Sequence, residues 1–193
     1  EVKDSTPFQF GKCKVEKDGK QGVIDESGKE VLPLIYSKIK RISGQFAVHV
    51  DNKWGLVSDE CKLLYPITLD DISYYYWPTD DHIIYKVKVG EKEGLLESTG
   101  RLVFPIVFDE ISNTWDYILV RQNGLYGLYN EEKQILPIEF EEIKHEITSA
   151  TSKYHDLFLA SKNNLWGVFD SLGNIVVPIK YDIIEYNSGG RGR

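Results

Sequence analysis

Hydrophobic positions along the chain recur as pairs two residues apart, each followed at a fixed interval by a glycine. The pairs are Cys13/Val15, Phe46/Val48, Tyr85/Val87, Ile118/Val120 and Phe158/Ala160, and the glycines are Gly22, Gly55, Gly94, Gly127 and Gly167. Alternate spacing places both members of a pair on one face of a β-strand. A polar turn follows, such as Asp51-Asn52-Lys53 or Asn163-Asn164, and then a short strand through the glycine, as in Trp54-Gly55-Leu56-Val57. Asp25-Glu26-Ser27-Gly28, Glu97-Ser98-Thr99-Gly100 and Asp170-Ser171-Leu172-Gly173 form the next tight turn, with glycine available for a positive φ. Segments such as Glu30-Val31-Leu32-Pro33 and Asn174-Ile175-Val176-Val177-Pro178 return as a third strand, whose proline is expected to end ladder pairing or sit on an edge. No stretch longer than about ten residues keeps a helical period, so helix is minor.

The five glycines lie 33, 39, 33 and 40 residues apart. A proline follows eleven residues on at Pro33, Pro66, Pro105 and Pro178, and ten on at Pro137. Three residues past it stands Tyr36, Leu69, Phe108, Phe140 or Tyr181, and three further an isoleucine: Ile39, Ile72, Ile111, Ile143 or Ile184. Fixed offsets in five copies identify a tandem repeat. The segment from aromatic to isoleucine reads as a fourth, irregular strand or a turn of its own unit. One domain over residues 1–187 follows, with units at about 10–42, 43–81, 82–114, 115–154 and 155–187, and residues 188–193 form a flexible Gly/Arg tail.

Leu56/Val57 and Leu64/Tyr65 are apolar at neighbouring positions, so both faces of their strands must be covered. Burying one large apolar side chain contributes roughly 1.5–3 kcal/mol. Ordering a unit costs about 1–2 kcal/mol per residue for its backbone alone. A single unit is therefore expected to be unfolded, and neighbours must share their cores.

Asn52-Lys53-Trp54-Gly55-Leu56 with Pro66, and Asn164-Leu165-Trp166-Gly167-Val168-Phe169-Asp170 with Pro178 and Tyr181-Asp182, resemble the WG repeat, also called the KWG repeat, found mostly in bacterial proteins. The resemblance runs over about residues 10–186 and departs in the first and third units, where Gln21 and Glu93 replace tryptophan. The tryptophan is thus a packing choice rather than a required chemical group. The resemblance implies an all-β fold of tandem repeats with 3–4 short strands each, and a scaffold without shared catalytic residues. A propeller-like closed array of five units is expected, with an open β-superhelix or solenoid as the alternative. Closure would remove two apolar ends and would pair Phe8-Gln9-Phe10 beside the final unit after Ile184.

With 41% hydrophobic and 27% charged residues the composition is that of a soluble globular protein. A net charge of −7 argues against phosphate-driven nucleic-acid binding. No apolar run approaches the roughly 20 residues of a membrane-spanning helix. Residues 1–20 contain no basic stretch followed by an apolar core, so a soluble protein is expected, cytoplasmic or exported after removal of a leader. Cys13 and Cys61 occupy different positions of the repeat and are expected to be free thiols. No zinc-type spacing or EF-hand loop calls for a metal, and no cofactor is expected.

Candidate function is sought where the copies differ. The step from the isoleucine to the next apolar pair is nine residues after Ile39 and Ile111, fifteen after Ile72 and seventeen after Ile143. These two insertions fall in equivalent linkers and are expected on one side of the assembly, the usual place for a binding face. The first carries Tyr74, Tyr75, Tyr76 and Trp77, four consecutive aromatics that cannot all face one core, and Trp115 is expected to join them. The second carries His145 and His155, expected to be solvated, and His49 is expected to face outward from its strand. Asp70-Asp71, Asp109-Glu110 and Glu141-Glu142 follow the proline in three consecutive units and would form a negative stripe that steers a basic partner. No G-x-S-x-G elbow, H-E-x-x-H or P-loop occurs, so no catalytic residue is nominated. The expected function is a non-catalytic binding module with a protein partner, a class that includes an immunity or inhibitor protein masking a basic toxin. Glycan or cell-envelope binding through the aromatic insertion is the alternative, and a hydrolase the third. Oligomeric state is left open.

Overall fold

The computed structural model describes residues 11–75, 83–114, 116–131, 133–147 and 156–185. Among these every regular element is a β-strand, and the strands fall into five meandering sheets. Sheet 1 is β1 (Lys12–Lys17), β2 (Lys20–Asp25) and β3 (Glu30–Tyr36). Sheet 2 is β4 (Lys38–Ile42), β5 (Gln45–Val50), β6 (Lys53–Val57) and β7 (Leu63–Leu69). Sheet 3 is β8 (Asp71–Tyr75), β9 (Ile84–Val89), β10 (Lys92–Glu97) and β11 (Leu102–Phe108). Sheet 4 is β12 (Glu110–Thr114), β13 (Tyr117–Gln122), β14 (Leu125–Tyr129) and β15 (Gln134–Phe140). Sheet 5 is β16 (Glu142–Ile147), β17 (Asp156–Lys162), β18 (Leu165–Asp170) and β19 (Ile175–Tyr181). The chain forms two compact units, Glu1–Ile106 and Val107–Arg193. No helix among the described residues is long and apolar enough to cross a membrane.

The segment bearing the repeat isoleucine is a regular strand, and it opens the following sheet rather than finishing its own. Ile39 pairs with Val48, Ile72 with Val87, Ile111 with Val120 and Ile143 with Ala160. The cause lies one residue earlier. The N–H groups of Ser37, Asp70, Asp109 and Glu141 donate to the carbonyls of His49, Lys88, Arg121 and Ser161, so the chain is committed to the next sheet as soon as it leaves the aromatic position. The unit boundaries drawn at 42/43, 81/82, 114/115 and 154/155 therefore fall inside a sheet, between its first and second strands. By the same token the two insertions fall between β8 and β9 and between β16 and β17, neighbours in one sheet, and not between sheets.

The repeat glycine owes its presence to a β-bulge. Trp54 pairs with Leu69 but Leu56 with Tyr65, so β7 carries extra residues opposite Gly55, and Pro66-Ile67-Thr68 fills the excursion. A Cβ on Gly55 would stand 2.7 Å from Ile67 Cγ1 and 3.1 Å from its Cα. Gly94, Gly127 and Gly167 meet Ile106, Ile138 and Ile179 in the same way. The proline needs no ladder partner there, because β3, β7, β11, β15 and β19 are the last strands of their sheets and bulges tolerate a missing N–H.

Cores lie between neighbouring sheets. In the first unit, Val23, Leu32 and Tyr36 of sheet 1 pack with Ile39, Phe46, Val48 and Val57 of sheet 2. Ala47, Trp54, Leu56 and Leu69, on the other face of sheet 2, pack with Ile72, Tyr85, Val87 and Leu96 of sheet 3. In the second unit, Leu128, Leu136 and Phe140 of sheet 4 share a core with Phe158, Ala160 and Phe169 of sheet 5. Neighbouring residues of one strand thus serve two cores, as the doubly apolar pattern required. The pairing expected for Phe8-Gln9-Phe10 and the tail at 188–193 lie outside the described residues. Cys13 and Cys61 form no disulfide, and the first is buried in its strand.

Candidate binding surface

The stem of the first insertion holds one of its aromatics at the surface and another in the core. On β8, Ile72 is 2% exposed and Tyr75 7%, whereas Tyr74 between them is 60% exposed. Tyr74 lies opposite Tyr85, which is fully buried and donates through its hydroxyl to Ile42 O at 3.2 Å and Gln45 Oε1 at 3.0 Å, fastening β9 to sheet 2. Burial pushes the Tyr85 phenol up to about 12. Among the described residues the buried Tyr75 hydroxyl finds no hydrogen-bond partner, and desolvation raises its phenol well above the ordinary range. Tyr74 is therefore the surface aromatic of this stem, and Tyr75 is a core residue. Tyr76, Trp77 and Trp115 lie outside the described residues.

The stem of the second insertion corrects the expectation for His145, whose side chain is only 6% exposed. Its Nε2 lies 3.1 Å from Asp156 Oδ1 and its Nδ1 3.0 Å from Thr114 Oγ1. A carboxylate only accepts, so Nε2 carries the hydrogen in the neutral ring and Nδ1 accepts from the threonine hydroxyl. Tyr117 donates to the other Asp156 oxygen at 3.0 Å, and burial, followed by that carboxylate, pushes its phenol up to about 12. Phe158 stacks on the imidazole at 4.9 Å and Tyr117 meets it edge-on at 5.5 Å. Threonine, histidine and aspartate here follow the order of a nucleophilic triad. The imidazole is enclosed between Phe158 and Tyr117, and its side chain is only 6% exposed. The cluster is a clamp that fixes the β16–β17 stem to sheet 4. Its members lie 31 and 11 residues apart in non-equivalent repeat positions, and no periodic signal joins them. His155 lies outside the described residues. His49 is half-buried, its ring 4.6 Å from Trp54 and its Nδ1 2.7 Å from Ser37 Oγ.

The first acid of each candidate pair caps a turn of the sheet that it enters. Asp70 accepts from Gly90 N at 2.7 Å and pairs with Lys53, and these contacts, Lys53 first, hold its carboxyl below the usual range. Asp109 accepts from Gly124 N at 3.4 Å, and Glu141 from Asn163 N at 3.1 Å and Asn164 N at 3.0 Å. The second acids face basic neighbours. Asp71 lies opposite Lys88, Glu110 is 3.3 Å from Arg121 and Glu142 is 3.1 Å from Lys144. Among the described residues no group of three His, Cys, Asp or Glu side chains is placed to hold a metal ion.

Trp54 and Trp166 share one contact, a lysine over the ring, although Trp54 is buried and Trp166 half-buried. Lys40 Nζ stands 4.4 Å over the first ring and Lys144 Nζ 4.6 Å over the second, each from the residue after the repeat isoleucine. The profile described as the WG containing repeat matches residues 22–54, 94–126 and 166–193. The chain is built of tandem WG repeats. The matches over 22–54 and 94–126 each span an interval without an insertion. No curated protein matches the chain. Among solved structures, Hsv2p of Kluyveromyces lactis is similar at 11% identity and a TM-score of 0.35, over 86% of this chain and 59% of that one. BBS1N, solved in complex with ARL6DN, gives 10% and 0.32 over 86% and 62%. The WD40 beta propeller domain of Doa1 gives 13% and 0.31 over 91% and 69%. The WG-repeat chain thus spans about three fifths of the first of these.

Proposed function

We propose that the WG-repeat chain is a non-catalytic binding scaffold for a protein partner, with Tyr74, near the end of β8, as its principal contact. The observation that carries this reading is Tyr74 itself, an aromatic ring 60% exposed on β8, whose Ile72 and Tyr75 are packed. A ring held on such a stem loses little conformational freedom on binding, and aromatic residues are the commonest anchors of protein interfaces. The sequence continues with Tyr76 and Trp77 and then with Asp80, Asp81 and His82. A basic partner, such as a toxin that an immunity or inhibitor protein masks, is the class favoured by the net charge of −7. A propeller-like closed array remains the arrangement proposed for the repeats.

Affinity capture with the wild-type chain and with Tyr74→Ala tests the reading. A protein recovered in stoichiometric amount by the wild type, bound about tenfold or more weaker by the variant at an unchanged thermal midpoint, supports it. For a basic partner the association rate also falls steeply with added salt. A glycan-array signal lost in Tyr74→Ala with no protein recovered would replace the reading with carbohydrate binding.

A further inference from the structure

The acidic pairs that enter sheets 3, 4 and 5 have a counterpart without acid at the entry to sheet 2. Ser37-Lys38 stands where the later sheets have Asp70-Asp71, Asp109-Glu110 and Glu141-Glu142. The backbone is nonetheless the same, since Ser37 N donates to His49 O just as Asp70, Asp109 and Glu141 N donate to Lys88, Arg121 and Ser161 O. We infer that the place of the missing carboxylate, beside the turn at Asp51-Asn52, binds an oxyanion from outside the chain, a phosphate or a carboxylate.

The other sheets show which groups receive the anion. In sheet 5 Asn163 N and Asn164 N both donate to Glu141, and the two residues have φ of 54° and 61°. In sheet 3 Gly90 N donates to Asp70. Asp51 and Asn52 have φ of 49° and 60°, so their N–H groups form the same nest of successive donors, a known concavity for anions. Among the described residues no acceptor meets either of them. The Ser37 hydroxyl does not fill the place, because it is turned to His49, with Oγ 2.7 Å from the ring Nδ1 and 3.0 Å from the carbonyl oxygen.

Charge favours the same occupant. Gln21 pairs with Tyr36 as Trp54 pairs with Leu69, so Lys20 stands to Ser37 as Lys53 stands to Asp70. Lys53 forms an ion pair with that carboxylate. Lys20 has no carboxylate partner among the described residues, and across the β1–β2 ladder it faces the like charge of Lys17. Lys38 takes the place of the second acid. Where Asp71 balances Lys88 across the strands, Lys38 lies opposite His49 and adds a further unbalanced cation. The turn itself contributes one carboxylate, Asp51, where sheets 3, 4 and 5 have Gly90, Asn123 and Asn163. In a chain of net charge −7 the entry to sheet 2 is thus a local surplus of positive charge beside two vacant amide donors.

Backbone amide resonances of the isotope-labelled chain, followed by NMR during titration with sodium phosphate and with sodium acetate at constant ionic strength, test the site. The Asp51 and Asn52 signals should move to saturation, whereas those of Asn163 and Asn164, already capped by Glu141, should not. A tighter response to phosphate assigns the site to a phosphate group, and a response to acetate at least as tight assigns it to a carboxylate. Lys20→Ala with Lys38→Ala should weaken the response about tenfold or more, and Asp51→Asn should tighten it. Ser37→Asp restores the tethered carboxylate of the other sheets, and should abolish the response and raise the thermal midpoint. Absence of saturation with both ions overturns the inference. So does a response that persists unchanged in Ser37→Asp, or one shared equally by Asn163 and Asn164.

Discussion

At the residue scale, the most informative positions are those where a side chain would do harm. Gly55 faces the bulge that carries Ile67, and its own φ is not in the left-handed region, so the demand is for space. Gly55→Ala should lower stability by about 1–3 kcal/mol through overpacking, read as a lower urea midpoint at unchanged slope. Backbone freedom governs the hairpin turns instead. Asp51 and Asn52 have φ of 49° and 60°, the paired positive values of a tight hairpin turn. Asn52→Gly should raise the thermal midpoint, a gain of a few tenths of a kcal/mol to about 1 kcal/mol, and Asn52→Val should lower it. The glycines and prolines were legible in the sequence because they recur at fixed offsets. The bulge that explains them was not, since it is a register shift between two strands and leaves no mark except the residues it requires.

At the scale of the element, alternation was read correctly for the second and third strands, because Leu56 and Val57 do serve two different cores. The opening strand was assigned to the wrong partner. Sequence order places Ile39 next to Tyr36, whereas the hydrogen bond from Ser37 to His49 ties it to the sheet that follows. His145 escaped the reading for a related reason, since its partners Thr114, Tyr117 and Asp156 come from three other strands. His145→Ala should cost about 2–4 kcal/mol, because it strips the half-buried Asp156 carboxylate and Thr114 hydroxyl of their partner and removes a stacked ring. Urea unfolding followed by fluorescence reads that loss. A variant of unchanged stability would show that the clamp contributes nothing. Tyr75→Ala should likewise destabilise the fold, by about 3–5 kcal/mol, whereas Tyr74→Ala should leave the midpoint where it is. Two adjacent tyrosines on one strand thus separate core from surface. The phenols of Tyr85 and Tyr117, both raised to about 12, are protonated more readily folded than unfolded. Their contribution is complete below the ordinary phenol value near 10 and is lost as pH rises through about 12, because the unfolded chain gives up these protons first. Thermal midpoints should therefore fall over that alkaline window, and fall less in the Tyr85→Phe, Tyr117→Phe double variant.

At the scale of the whole molecule, the account rests on cores held in common by neighbouring sheets. Sheet 2 illustrates the dependence, with Phe46, Val48 and Val57 facing sheet 1 and Ala47, Trp54 and Leu56 facing sheet 3. Cut free, it would expose both faces to water and keep only its ladder hydrogen bonds, which in isolation do not offset the entropy of ordering its backbone. The candidate surface was only partly legible at this scale. Its aromatic run announced itself, but strand phase does not give the division between Tyr74 and Tyr75, because Tyr74 shares the face of buried Ile72 and Tyr85 and is exposed nonetheless. The turn-capping role of Asp70, Asp109 and Glu141 follows from the hairpin each one enters. The direct measurement compares a peptide of residues 38–69, sheet 2 alone, with the 193-residue chain by circular dichroism and amide hydrogen exchange. Shared cores predict an unfolded peptide with unprotected amides, and strong protection of the same strands in the intact chain. A peptide that unfolds cooperatively, with protected β5 and β6 amides, would contradict the account.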